Sequence, residues 1–293
     1  MAEVGEYLLA HVSFSKEEKP VLSLQQGEKI ISFMPLGQTL TLRFDTAQRF
    51  CTGWYDMRSG EDHICPERAE VAEKYEQCPA CQKRTGFNPA FYHASSVSEQ
   101  QEERNQEPHF LYLAHFGKDV IKVGISYAGR GNSRLLEQGA RSALVLDTFP
   151  TAHIARQYEA KIASLPGIAE TIQLRKKIAE LEKPYDQAVA MQELTGTRNR
   201  IKEQLGVTFA QNDALHLDPT YFASGAPQLA DAFDCSPQAL ISGRATGMLG
   251  SLLFCAQQET PLFLPLKKFV GYPVKLSYDT TQVALPARQA SLF

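Results

Sequence analysis

The chain has 293 residues, of which 43% are hydrophobic and 22% charged, and its formal net charge is −3. That length suffices for two or three domains and for a large core without covalent staples. The slightly acidic balance excludes a global basic field, so any polyanion would have to be met by a local patch.

Residues 1–10 lack the charged and apolar regions of a signal peptide. No run of about 18 apolar residues occurs, which predicts no membrane span and makes the cytoplasm the expected compartment. Six cysteines in a reducing compartment are not expected to build a disulfide framework.

Residues 7–13, 29–34 and 39–44 read as strands, rich in β-branched and aromatic residues and punctuated by Gly or Pro. They make residues 1–48 the first part of a β-module. Residues 49–93 form a cysteine-bearing segment, and the polar, aperiodic residues 94–108 read as a solvated linker. Residues 110–115 and 120–125 are two apolar runs joined by Phe116-Gly117-Lys118-Asp119, a hairpin pattern. A helix is expected over residues 133–138, stopped by Gly139, and a strand over 144–149. Thr151 is positioned to N-cap a helix through residue 165, ended by Pro166-Gly167. Together residues 109–167 predict a small α/β unit.

Across residues 168–206 apolar side chains recur near helical spacing: Ile168, Ile172, Ile178, Leu181, Tyr185, Val189, Leu194, Ile201 and Leu205. This predicts a helical hairpin or coiled-coil arm broken at Pro184 or Gly196. Such a pair either lies on the protein's own core or projects towards a protein partner or a dimer mate. Residues 207–293 return to strands, with Gly243, Gly247 and Gly250 suggesting bends or bulges. A weak repeat links the ends: Leu36-Gly37 before Leu40, Leu42 and Phe44 parallels Val270-Gly271 before Val274, Leu276 and Tyr278. The expectation is an α+β protein in which N- and C-terminal strands share one β-module, the rest being inserted between them.

The spacing Cys51-x13-Cys65-x12-Cys78-x2-Cys81 carries the clearest chemistry. A C-x2-C turn aims two thiolates at two vertices of one tetrahedron. The hairpin turning at Ser59-Gly60 separates the other two. Four soft sulfur ligands favour zinc, with an iron–sulfur cluster or two ordinary core cysteines as alternatives. His63 and His93 are the candidates to replace one cysteine. Four thiolates leave no open position, so such a zinc is structural. Cys235 and Cys255 read as buried free thiols.

The second constellation is Phe110-Leu111-Tyr112-Leu113-Ala114, Lys122-Val123-Gly124-Ile125-Ser126, Arg134-Leu135 and a helical Glu159. It resembles the GIY-YIG nuclease superfamily, in particular the phage-type branch in which Lys replaces the second Tyr. That resemblance implies a small antiparallel sheet with flanking helices. It implies Tyr112, Lys122, Arg134 and Glu159 as catalytic residues, Glu159 also as a ligand for Mg²⁺ or Mn²⁺, and DNA or RNA as the partner. The chemistry is coherent: Arg suits a phosphoryl oxygen and Glu a hard divalent cation. Lys122, Arg130, Arg134 and Arg141 are the candidate nucleic-acid contacts. On packing grounds alone, Tyr112 is instead a cross-strand core aromatic, Gly124 a bulge and Glu159 a solvated helix residue.

The ordered set Cys-Thr-Gly, Cys-Pro, Cys-x2-Cys, Tyr-Leu-Ala, Lys-Val-Gly-Ile-Ser, Arg134 and Gln138-Gly139-Ala140 is also similar to an uncharacterised bacterial family, a domain of unknown function. That family joins a zinc segment to a GIY-YIG-like domain. Three roles follow as expectations: a metal-dependent endonuclease with a structural zinc, a non-cutting DNA- or RNA-binding protein, or a protein-interaction module.

Overall fold

A computed structural model describes residues 2–85, 97–222 and 232–285. It is an α+β structure. Strands β1 (Gly5–Phe14), β2 (Pro20–Gln26), β3 (Lys29–Phe33) and β4 (Thr39–Phe44) open the chain. The cysteine segment contributes the hairpin β5 (Trp54–Asp56) and β6 (Glu61–His63), then helices α1 (Pro79–Arg84) and α2 (Glu99–Asn105). The middle of the chain runs β7 (His109–Gly117), β8 (Val120–Tyr127), α3 (Ser133–Gln138), β9 (Ser142–Phe149), α4 (Ala152–Ala163) and β10 (Ile168–Ala169). It continues through α5 (Leu174–Leu181), α6 (Gln187–Leu205), β11 (Asp213–His216) and α7 (Asp218–Tyr221). Strands β12 (Phe233–Asp234), β13 (Leu240–Leu249), β14 (Leu252–Gln257), β15 (Thr260–Pro265) and β16 (Pro273–Ser277) follow.

Two main sheets result. The larger has nine strands in the order β12-β15-β14-β13-β4-β16-β1-β2-β3, so strands from the two ends of the chain alternate at its centre. The two Gly-turn segments of the sequence repeat supply neighbouring antiparallel strands there, Phe44 opposite Val274. Gly37 and Gly271 before them both hold positive φ, 78° and 85°, a conformation that favours glycine. The register slip between Ala245 and Gly247 is the bulge expected in β13. Strand β2 has no clean alternation in the sequence because six of its seven residues are buried.

The smaller sheet has the order β10-β8-β7-β9-β11 and is antiparallel except for the β10–β8 pair. Every residue of its central strand β7 is buried, and the pleat divides them between two cores. Leu111 and Leu113 pack with Ala155 and Ile162 of α4 and with Leu194 and Ile201 of α6. Phe110, Tyr112, Ala114 and Phe116 face a core shared with Leu135 and Leu136 of α3 and with the large sheet.

Two expectations are corrected. Residues 168–206 do not project as an arm. Ile168 starts a strand, α6 buries Ala190, Leu194 and Ile201, and α5 buries Leu181. An apolar stripe at helical spacing suits a neighbouring sheet as well as a partner helix, and here the sheet takes it. Pro184 lies in the break between α5 and α6, whereas Gly196 sits inside α6. The polar linker over 94–108 contains α2, capped where Ser98 Oγ accepts the Gln101 N–H at 3.1 Å, with Glu99 and Glu102 in its first turn. Residues 94–96 and His93 lie outside the described residues. Among the described residues no helix is long and apolar enough to cross a membrane.

Candidate functional site

The four cysteines converge. All are buried, and their Sγ atoms lie within 4.8 Å of one another. Cys65 Sγ and Cys78 Sγ are 4.0 Å apart, far beyond the roughly 2.05 Å of a disulfide. A tetrahedral four-thiolate site with bonds of about 2.3 Å separates its sulfurs by about 3.8 Å, so the spacing fits a metal ion. Cys78 is the N-cap of α1, followed by Pro79, which aims Cys78 and Cys81 inward together. Backbone N–H groups of Gly53 and Cys78 donate to Cys51 Sγ at 3.4 and 3.2 Å, and that of Cys81 donates to Cys78 Sγ at 3.5 Å. Such donors stabilise thiolate charge and fix ligand orientation. Burial pushes the Cys51 and Cys81 thiols up, while the Cys81 backbone N–H holds Cys78 down. Gly53 has no alternative here: φ is 90° and a Cβ would stand 1.8 Å from the His63 carbonyl. His63 is stacked on Trp54 at 4.8 Å and is not part of the sulfur group.

The segment is fastened on both sides. Buried Arg49 donates to the Val270 carbonyl at 2.8 Å, and Gln25 Nε2 to the Thr52 carbonyl at 2.8 Å, which ties it to the large sheet. On the other side Arg58 pairs with Glu99 and Glu103 of α2 at 3.1 and 2.7 Å. Arg104 of α2 in turn covers the Tyr127 ring at the end of β8, 4.1 Å from its centroid.

The residues Tyr112, Lys122, Arg134 and Glu159 come from β7, β8, α3 and α4, and they lie within electrostatic reach of one another. Tyr112 has 0% exposure. Its hydroxyl accepts from Gln138 Nε2 at 3.0 Å, and burial pushes the phenol up to about 12. It stands across from Gly124, where a Cβ would meet the hydroxyl at 2.5 Å. The glycine is thus dictated by the ring above it. Lys122 Nζ donates to the carbonyls of Val123 at 3.0 Å and Glu170 at 2.5 Å, and burial holds it below the usual lysine range. Glu159 is half-buried and receives the Ile125 backbone N–H. Burial raises its carboxyl, against the pull of Arg156 and Lys122. Exposed Arg134 carries no hydrogen bond or ion pair among the described residues.

Of the other basic candidates, Arg130 is exposed but holds Glu137 through both carboxylate oxygens at 2.7 Å. Arg141 is corrected outright. It is 4% exposed, forks onto Asp218 at 2.8 and 2.5 Å, and stacks 3.8 Å from the Tyr185 ring centroid. A guanidinium buried and paired in this way holds the fold and cannot reach a polyanion.

Four members of the cluster escaped the sequence reading: Gln138, Arg156, Glu170 and Lys177. Lys177 of α5 donates to the Gln138 carbonyl at 2.6 Å and lies over the Phe116 ring, 5.0 Å from its centroid. In the sequence it is one charge among many on a helix, with no local signal. Gln138 has one: it stands four residues after Arg134, on the same helix face. Cys235 and Cys255 are buried, and burial pushes Cys235 up to about 12.

No curated protein and no solved structure matches the chain. A family described as "Protein of unknown function (DUF2797)" matches residues 37–274. That span takes in the cysteine segment, the whole smaller sheet and most strands of the larger one. The chain belongs to the DUF2797 family.

Proposed function

We propose that this protein binds and processes nucleic acid at the cluster on the smaller sheet, as a divalent-metal-dependent phosphodiesterase resembling the GIY-YIG nucleases. We propose further that zinc in the four-cysteine segment holds the fold. The observation that carries the first reading is the gathering of Lys122, Arg134 and Glu159 from three elements around Tyr112 and Gln138. Arg134, with no partner of its own among the described residues, is the natural ligand for a phosphoryl oxygen. Glu159 and nearby Glu170 offer oxygen donors to Mg²⁺ or Mn²⁺. A bound divalent ion there would supply Lewis-acid stabilisation of phosphoryl charge. Tyr112 is sealed from solvent, so its part is to hold Gln138, and through it α3, in place. For the cysteine segment, four thiolates and no hard ligand favour zinc over other common ions.

Incubating labelled DNA and RNA with the protein, with and without Mg²⁺ or Mn²⁺, tests the reading. Metal-dependent cleavage should fall by about 10²–10³ in Arg134→Ala, the usual loss for one transition-state charge donor, and should vanish in Glu159→Ala. A second reading, phosphate binding without cleavage, is favoured by the enclosed phenol of Tyr112 and by the carbonyls engaging Lys122, which leave no free base. Its sign is binding that weakens steeply with salt and no product. Absence of binding at low salt sinks both.

A further inference from the structure

Lys177 is tied to the cluster by contacts that do nothing to its charge. Its ammonium donates to the Gln138 carbonyl at 2.6 Å. The Gln138 side chain donates to Tyr112, and Arg134 stands one helical turn before Gln138. Lys177 also interacts electrostatically with Lys122 and Arg134. Three cations from β8, α3 and α5 therefore share one neighbourhood. Among the described residues none of the three has a carboxylate within ion-pair distance. Both lysines are anchored by backbone carbonyls, which fix position without neutralising charge. Gln138 Oε1, beside them, is buried without a hydrogen-bond partner, and such an atom calls for a donor the protein does not supply.

Like charges gathered in a half-buried place are unfavourable unless something compensates them. Counting the neighbours that interact with them, Lys122, Arg134, Lys177 and Arg156 face Glu159 and Glu170, a surplus of two positive charges. We propose that Lys177 completes a three-cation oxyanion site with Lys122 and Arg134, and that the group it takes is a phosphate dianion, the form carried by the phosphorylated end of a nucleic-acid strand. An internal phosphodiester bears a single charge and leaves part of the surplus unmatched. The protonated Gln138-facing side of a phosphomonoester also supplies the donor that Gln138 Oε1 lacks. Burial and the two neighbouring cations together hold Lys177 down to about 8, the direction expected of a cation awaiting an anion. This inference rests on the nucleic-acid reading above and specifies which part of the substrate the site grips.

The test compares binding of three probes by the full chain at fixed salt: inorganic phosphate, an oligonucleotide with a 5′-phosphate, and the same oligonucleotide with a 5′-hydroxyl. The wild type should bind the phosphorylated strand at least about tenfold more tightly than the unphosphorylated one, with inorganic phosphate competing. Lys177→Met keeps a long apolar stem over Phe116 and removes only the charge. It should erase that preference and lower the salt slope by about one, while Lys177→Arg restores the preference. Lys176→Ala, one residue away and exposed, should leave it intact. Equal affinity for the two strands in the wild type overturns the dianion claim. A preference that survives in a folded Lys177→Met protein overturns the role of Lys177, with nucleic-acid binding still standing. Failure of every probe to bind the wild type overturns this inference and the underlying reading together. Competition by inorganic phosphate without any preference between strands assigns the site to free phosphate and also overturns the strand-end claim.

Discussion

In the cysteine segment four ligands of one chemical kind face one another from within 4.8 Å, all buried and with backbone N–H groups aimed at them. On the smaller sheet, four cations and two carboxylates of mixed exposure face one another across strands and helices, several held only by carbonyls. Both arrangements bring like charges together, but they differ in what closes them. The sulfurs enclose a volume that fits a single ion and admits nothing else. The cations surround an open place and are left with surplus charge. The first arrangement is therefore a device for holding structure and the second a device for meeting something from outside.

Three perturbations sharpen that contrast. The largest effect is expected from Cys78→Ser. Metal binding at such sites is worth roughly 10–16 kcal/mol in zinc-finger peptides and couples directly to folding. Hydrogen exchange should show residues 51–84 losing protection, and metal analysis should fall from about one ion per chain on a four-ligand site to a fraction of it. Wild-type protein folded and free of metal would break the comparison.

Next comes a pair of arginines. Arg141→Ala leaves Asp218 buried without its partner and should cost about 3–5 kcal/mol in urea unfolding. Arg134→Ala removes an exposed, unpartnered side chain and should stay within about 0.5 kcal/mol. Similar losses for both would mean that the cluster, too, holds structure.

The smallest effect concerns pH. Lys177 is held down from 10.5 to about 8. A folded-state pKa below the unfolded one means that native stability rises as pH climbs from about 8 to about 10.5 and is lost as pH falls through 8. Urea titrations across this window should show a shallower rise in Lys177→Met than in the wild type. Parallel curves would place Lys177 in ordinary solvent.

What could be read in the sequence follows how local the cause is. The sulfur ligands are set by spacing and turn residues, so Cys51, Cys65, Cys78 and Cys81 stand out before any fold is known. Gly139 ending α3 and Thr151 capping α4 are legible for the same reason. Helix α2 was hidden because its residues are polar on every side, and it gains order from Arg58 and Met57, more than forty residues earlier in the chain. Arg141 looked like its basic neighbours until tertiary structure brought Asp218 to it. Residues 168–206 carry a helical period that does not name its partner. Lys177 joins the cluster only because α5 folds back over the sheet, a long-range event with no trace in local pattern.

The nine-stranded sheet has a consequence for how the chain comes off the ribosome. Strand β4 lies between β13 and β16, and β1 pairs with β16, so the central strands of the first part wait for the last part to be made. At about 5–20 residues per second, the interval from Phe44 to Pro273 is tens of seconds. Through that time β1 to β4 expose the edges and the apolar face that they later bury. The smaller sheet, complete once β11 emerges, has no such delay. The nascent chain is therefore expected to carry a finished centre between two unfinished ends, and the waiting N-terminal strands are where a chaperone has most to protect.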